Sequence, residues 1–61
     1  MKMTKLAEWR KKKGLTQTEL AKMCGWKKST ISDYERGERE PNITKLEKLA
    51  TALGCRISDL I

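Results

Sequence analysis

Apolar residues recur along this chain at the three- and four-residue spacing of an α-helix. The clearest case follows Asn42, a good helix cap, where Leu46, Leu49, Ala50 and Leu53 mark one helical face. The pattern predicts an all-α fold, with helices over about residues 4–13, 16–24, 27–36 and 43–53 and a short last turn at 57–61. With 61 residues and no linker or repeat, residues 1–61 are expected to form one small domain.

The second predicted helix has distinct start and stop signals. Thr16 and Glu19 have the spacing of a capping box, in which each side chain accepts a hydrogen bond from the other residue's backbone N–H. Leu15 and Leu20 stand at the two positions of a hydrophobic staple, and Gly25 follows where a left-handed residue ends a helix. Because these signals are in register, we predict a short helix that ends in a tight turn.

The third predicted helix has two different faces. Ile31, Tyr34 and Glu35 fall at i, i+3 and i+4, and we expect them to face inward. The outward face is polar and consists of Lys28, Ser29, Ser32, Asp33 and Arg36. Such donors and acceptors suit DNA base edges and phosphates, while an ordinary solvated face is the alternative. Two short helices joined at a glycine have the spacing of a helix-turn-helix, whose second helix enters the DNA major groove.

From Leu6 to Leu60 the chain resembles the phage Cro/C1-type repressors, also called the XRE-like helix-turn-helix family. The residues that carry the resemblance are Arg10, Gly14-Leu15-Thr16-Gln17, Leu20-Ala21, Gly25, Ser29-Thr30-Ile31-Ser32, Glu35-Arg36-Gly37, Pro41, Leu46, Leu49-Ala50 and Ala52-Leu53-Gly54. Their joint order is specific, although each residue alone is common. The resemblance implies a compact five-helix bundle of the lambda-repressor type. It also implies a transcriptional regulator, expected to be a repressor with an activator as the alternative, that binds a pseudo-palindromic DNA operator as a homodimer. As a bacterial or phage protein, it is expected in the cytoplasm and, when bound to DNA, on the nucleoid.

On this interpretation, we expect two sets of DNA contacts. The expected base-reading residues are Lys27, Lys28, Ser29, Ser32 and Asp33. The expected phosphate-binding residues are Gln17, Thr16, Thr30, Arg36, Arg39 and Lys45. Gln17 is the first residue of its helix, where free backbone N–H groups also point at a phosphate.

Two residues depart from the family pattern. Lys27 stands where Ser or Thr is the usual cap of the recognition helix, so the cap is expected from water, Ser29, Thr30 or a DNA phosphate. Asp33 adds a negative charge to the outward face, where phosphates repel it. We therefore expect Asp33 either to accept a hydrogen bond from a cytosine N4 or to pair with a nearby Lys or Arg.

Large side chains near the first two turns raise separate questions. Arg10 lies on the apolar face of the first helix, and a buried arginine needs a partner. Glu35 is the natural candidate, and the resembling family uses such an Arg–Glu pair; the alternative is that Arg10 reaches a phosphate. Trp9 is expected in the core. Trp26 either packs on Ile31 or lies against a sugar-phosphate backbone.

Charge is distributed unevenly along the chain. The net charge is +6; residues 1–36 hold ten basic and four acidic residues, whereas residues 37–61 hold four of each. A basic half favours a polyanionic partner, although a general solubility bias is the alternative. No strongly apolar face accompanies Lys11-Lys12-Lys13, and the first residues lack an apolar run, so neither a membrane partner nor a signal peptide is expected.

The residue inventory argues against catalysis. The sequence has no histidine, no Gly-rich phosphate loop and no obvious carboxylate pair, so we expect neither an enzyme nor a cofactor. Cys24 and Cys55 lie at apolar positions and are expected to be reduced core residues, although a disulfide stays open. Two cysteines without a histidine cannot complete a tetrahedral zinc site within one chain, and no metal site is expected.

The last turn suggests how two copies meet. Ile57, Leu60 and Ile61 form an apolar end that no later residue in the sequence covers, with Ser58 as a possible N-cap. We therefore predict a dimer contact there. The alternative function is a protein-interaction module, such as an antitoxin that neutralises a partner. That role needs an apolar groove, whereas DNA binding depends steeply on salt.

Overall fold

Five helices form the fold in the computed structural model, which describes residues 5–61. They are α1 (Leu6–Lys12), α2 (Gln17–Cys24), α3 (Lys28–Arg36), α4 (Ile43–Leu53) and α5 (Ile57–Leu60). The helix α2 packs mainly on α3, while α4 packs on α2 and α5, and α1 packs on α3. The predicted all-α, five-helix fold is confirmed. No helix in the described range is long and apolar enough to cross a membrane.

The predicted caps of α2 and α4 are confirmed. Thr16 Oγ1 accepts from the Glu19 N–H at 3.1 Å, and Glu19 Oε1 accepts from the Thr16 N–H at 2.9 Å. Asn42 Oδ1 accepts from the Lys45 N–H at 2.9 Å. Gly25 ends α2 with φ 75°, a left-handed conformation in which a side chain is strained. Local hydrogen bonding therefore sets these ends, as the sequence indicated.

Two predicted boundaries differ from the structure. The helix α1 begins at Leu6, after Lys5, rather than at Thr4, which lies outside the described residues. The expectation of Ser58 as an N-cap is wrong, because α5 already begins at Ile57 and Ser58 is its second residue. The Arg56 N–H before it donates to Asp59 Oδ2 at 3.0 Å, so a carboxylate inside α5 satisfies this end.

The core is built from the apolar faces that the spacing predicted. Its buried side chains include Leu6, Leu20, Ala21, Cys24, Ile31, Tyr34, Leu46, Leu49, Ala50 and Leu53. Trp9 is half-buried against this core, and its indole N–H donates to the Asp59 carbonyl at 3.1 Å. Cys24 is buried and Cys55 half-buried; both are free thiols, and burial raises the pKa of each.

The predicted dimer patch is divided by the fold. Leu60 is 0% exposed and belongs to the core, so the prediction that it forms an uncovered dimer contact is wrong. The reason is that α5 folds back onto α4, which turns Leu60 inward. Ile57 is half-buried, and the side chain of Ile61 is 42% exposed. These two residues alone remain of the patch as candidates for a contact with a partner.

Candidate nucleic-acid interface

The helix α3 is held to the core along one face. Ile31 and Tyr34 are buried, as their spacing predicted. Trp26, in the turn before α3, packs against the core and meets the Tyr34 ring edge-on, with 6.0 Å between centroids and 84° between planes. Trp26 therefore packs on the core with Tyr34 as its aromatic neighbour, and the contact with Ile31 stays a prediction.

An ion pair ties the end of α3 to α1. Arg10 Nε lies 2.6 Å from Glu35 Oε2, and Arg10 Nη2 lies 3.2 Å from Glu35 Oε1. Arg10 Nη1 also donates to the Leu15 carbonyl at 2.8 Å. The two charged side chains are only 11% and 10% exposed. The predicted Arg10–Glu35 pair is confirmed, and Arg10 is directed into the protein.

Gln17 takes part in the same network. Its side-chain Nε2 donates to Glu35 Oε1 at 3.0 Å, a contact that sequence analysis missed. The two residues are far apart in the sequence and no local spacing signals their contact. The network therefore fixes the first residue of α2 against the last turn of α3, and it holds the two helices in one orientation.

The first turn of α3 is open to solvent. Lys27, Lys28 and Ser29 are exposed, and the structure shows no side-chain cap for this helix. Neither Ser29 nor Thr30 supplies the expected cap within the described residues, which leaves water or a DNA phosphate for that role. Ser32 is half-buried one turn further along. Cations and hydroxyls thus stand beside the positive end of the helix dipole.

The opposite end of α3 is an ion-pair network. Arg36 Nη2 lies 2.8 Å from Asp33 Oδ1 and 3.0 Å from Glu38 Oε2, and Arg39 Nη1 lies 4.0 Å from Asp33 Oδ2. We call these four residues the Arg36 cluster. Of the two expectations for Asp33, the structure has the pairing with arginine. Two of the expected phosphate-binding residues, Arg36 and Arg39, therefore face carboxylates of their own chain.

Glu38 was missed because its spacing predicts no contact. Residues two positions apart do not face each other on a helix. Gly37 has φ 75° and ends α3, so the chain turns back and the Glu38 N–H donates to the Asp33 carbonyl at 2.9 Å. The glycine after Arg36 is the sequence signal that could have indicated this return. It brings the Glu38 carboxylate to Arg36.

The remaining expected phosphate contacts lie on three elements. Thr16 is exposed at the start of α2, with its hydroxyl engaged in the capping box. Thr30 and Lys45 are half-buried on α3 and α4. A shallow groove of about 360 Å³ is lined by exposed Met23 and by the α4 residues Thr44, Glu47, Lys48, Thr51 and Ala52. The structure thus offers both a polar helix face and a small groove in which Met23 and Ala52 lie beside the charged Glu47 and Lys48.

Comparison with known proteins connects this geometry to a family. Residues 6–60 match a family model described as helix-turn-helix. An uncharacterized HTH-type transcriptional regulator of Archaeoglobus fulgidus is 40% identical over 57 residues, which are 93% of this chain and 81% of that protein. The P22 c2 repressor protein, solved in complex with a synthetic operator, is similar with a TM-score of 0.90 and 37% identity, over 100% of this chain and 94% of that one.

A second solved structure gives the same result. The restriction-modification controller protein C.AhdI from Aeromonas hydrophila is similar with a TM-score of 0.89 and 38% identity, over 95% of this chain and 84% of that one. The family match covers all five helices described above. This chain therefore belongs to the helix-turn-helix family of transcriptional regulators, which are DNA-binding proteins and not enzymes.

Proposed function

We propose that this protein represses transcription by binding a specific double-stranded DNA operator, with α3 as the recognition helix in the major groove. The exposed first turn of α3 carries the proposal. Its buried face is fixed by Ile31, Tyr34 and Glu35, while Lys28 and Ser29 project from a rigid scaffold into solvent. A rigid helix with free donors at its first turn is suited to reading base edges. We expect the protein, whether of bacterial or phage origin, to act in the cytoplasm.

The proposed contacts divide by chemistry. Lys28 donates to guanine O6 and N7, with Lys27, Ser29, Ser32 and Asp33 as the other base-reading residues. Gln17 positions the protein on a phosphate. Its amide has two N–H donors, of which one is used by Glu35 at 3.0 Å, so the second can serve a phosphate oxygen. Thr16, Thr30, Arg36, Arg39 and Lys45 complete the phosphate contacts.

We further propose that two copies bind one operator. A single recognition helix reads few base pairs, and two-fold symmetry would place two half-sites about 34 Å apart on one face of the DNA. Ile57 and Ile61 are the proposed contact between the copies. Their small exposed area favours a weak dimer that forms mainly on DNA.

Binding-site selection followed by a salt series tests the function. Selection from random duplex DNA should recover a pseudo-palindromic site, and log K should fall linearly with log salt concentration. The selected site should bind at least about a thousandfold more tightly than random duplex at the same salt. Recovery of no preferred sequence would contradict the proposal, and so would binding that is independent of salt.

Two matched substitutions test the dimer contact. Ile61→Asp and Met23→Asp each place one negative charge at an exposed apolar residue of the same small protein. We expect Ile61→Asp to abolish tight operator binding while binding to random duplex persists, and Met23→Asp to have a much smaller effect. Sedimentation should show the Ile61→Asp protein as a monomer where the parent is partly dimeric. The reverse ranking would move the interface to the Met23 groove.

The groove beside Met23 favours a second candidate function. A protein-interaction module, such as an antitoxin, needs apolar surface for its partner, and this groove of about 360 Å³ offers Met23 and Ala52 beside polar and charged residues. It is small for a protein interface, so we rank this role below DNA binding. Two results together would reverse that ranking. Selection would recover no DNA site, and the Met23→Asp variant would lose a function in its host.

A further inference from the structure

The Arg36 cluster is electrically neutral although it lies where phosphate contacts are expected. It consists of two arginines and two carboxylates, with one nitrogen, Arg36 Nη2, shared between Asp33 at 2.8 Å and Glu38 at 3.0 Å. The first turn of α3 differs, because Lys27 and Lys28 form no ion pair with any described residue. Among residues 5–61, the cations at the start of the recognition helix are therefore without an ion pair, and those at its end are neutralised.

Neutralisation of the arginines has different consequences for binding to random-sequence DNA and for binding to an operator. Binding to random sequence rests almost entirely on cations that displace counterions from phosphates. Arg36 is 59% exposed and can reach outward, but a phosphate must compete with Glu38 and Asp33 for its guanidinium. On an operator, a base that donates to Asp33 removes one of these competitors. The cluster then opens more readily at a matching sequence than on other sequences.

We propose that Glu38 is a specificity-determining residue, which holds Arg36 in the closed cluster and so weakens binding to non-operator DNA. The inference rests on the proposed DNA-binding function and assigns Glu38 a role within it. Glu38 does not contact bases in this account; it acts through Arg36. Because the pair is exposed, with Glu38 at 61%, it opens at low energetic cost, and its effect is a graded shift in affinity.

The test compares Glu38→Gln with a variant of the same charge change. Glu38→Gln should raise the affinity for random duplex about two- to fivefold. It should also steepen the slope of log K against log salt by about 0.9, the value for one added phosphate contact. Operator affinity should rise less, so the ratio of specific to random binding falls. Glu8→Gln is the control, because it removes the same charge from an exposed residue of α1. Glu8 is two positions from the inward-facing Leu6 and Arg10, so it lies on the opposite face of that helix.

A double-mutant cycle identifies the arginine that responds. In an Arg36→Gln background, Glu38→Gln should give no gain beyond that of Glu8→Gln, because the released cation is absent. Thermal melts confirm that each variant is folded. Equal gains from Glu38→Gln and Glu8→Gln would overturn the proposal and leave the DNA-binding function intact. A parent protein without salt-dependent DNA binding would instead remove the proposed function itself, and this inference with it.

Discussion

The two helices of the helix-turn-helix have similar lengths and different beginnings. The helix α2 has 8 residues and α3 has 9, and each ends at a left-handed glycine. At its start, α2 has a complete capping box between Thr16 and Glu19. The start of α3 follows Lys27, in an extended conformation, and has no side-chain cap. Among the described residues, the chain thus caps one helix N-terminus with its own side chains and leaves the other without a side-chain cap.

This difference separates a scaffold from the proposed reading element. A side-chain cap stabilises a helix by about 1 kcal/mol, and α3 forgoes that stabilisation. It is held instead by its packed face and by the Glu35 network, which contacts Gln17 of α2. The stability of α3 therefore comes from its last turn and its inward face, which leaves the first turn available for DNA. Four changes break or sharpen this contrast.

Glu35→Ala should have the largest effect, because it releases α3 from the scaffold. Removing one partner of a buried ion pair costs about 3–5 kcal/mol, and among the described residues Arg10 would keep the Leu15 carbonyl alone. Urea unfolding followed by tryptophan fluorescence measures the loss. The control is Gln17→Ala, which removes one hydrogen bond to Glu35 and should cost about 0.5–1.5 kcal/mol. A loss below about 1 kcal/mol for Glu35→Ala would show the behaviour of an exposed pair.

Lys28→Ala should weaken binding to the best operator by about 1–3 kcal/mol and relax the preference at one base position. The reason is that Lys28 stands in the exposed first turn of α3. Gln17→Ala, at the first turn of α2, should weaken binding to all sequences without changing their order, because phosphates carry no sequence. Selection with each variant distinguishes the two roles. An equal loss on operator and random duplex would make Lys28 a phosphate contact only.

The helix-turn-helix shows which features a sequence predicts well. The capping box, the glycine turn and the apolar stripe of α4 are local signals, and the structure confirms them. The Arg10–Glu35 pair was predictable because a buried arginine requires an acid. Leu60 was predicted wrongly, because its burial depends on how α5 folds back onto α4. The contact of Gln17 with Glu35 was not predicted, because it follows from the packing of two helices. The contact of Glu38 with Arg36 was not predicted either, because it follows from the turn at Gly37.

Lys27→Ser tests whether the uncapped start of α3 is kept for DNA. A serine at this position can accept a hydrogen bond from an N–H of the first turn, so we expect the protein to become about 0.5–1 kcal/mol more stable. DNA affinity should fall, because one cation is lost from the reading end. Thr16→Ala is the converse change in α2 and should destabilise by about 1 kcal/mol. Thermal unfolding and a gel shift measure both properties. A Lys27→Ser protein that is less stable than the parent would refute the contrast.

The smallest effect is expected in acid, where α2 has a carboxylate cap to lose and α3 shows none among the described residues. The hydrogen bond from the Thr16 backbone N–H lowers the pKa of the Glu19 carboxyl, with the Thr16 side chain and Lys22 acting in the same direction. Because the pKa is lower in the folded state, the stabilisation is present above the unfolded pKa of about 4.3. It disappears as the pH falls through the lower folded pKa. The stability difference between the parent and Glu19→Gln should therefore hold from neutral pH to about pH 5 and vanish in stronger acid. All other carboxyl groups are common to both proteins, so their titration cancels in the difference.

Glu19→Gln leaves α3 unchanged, so operator binding at neutral pH should stay within about twofold of the parent. A difference that persists unchanged into strong acid would mean that the Glu19 carboxylate does not cap α2.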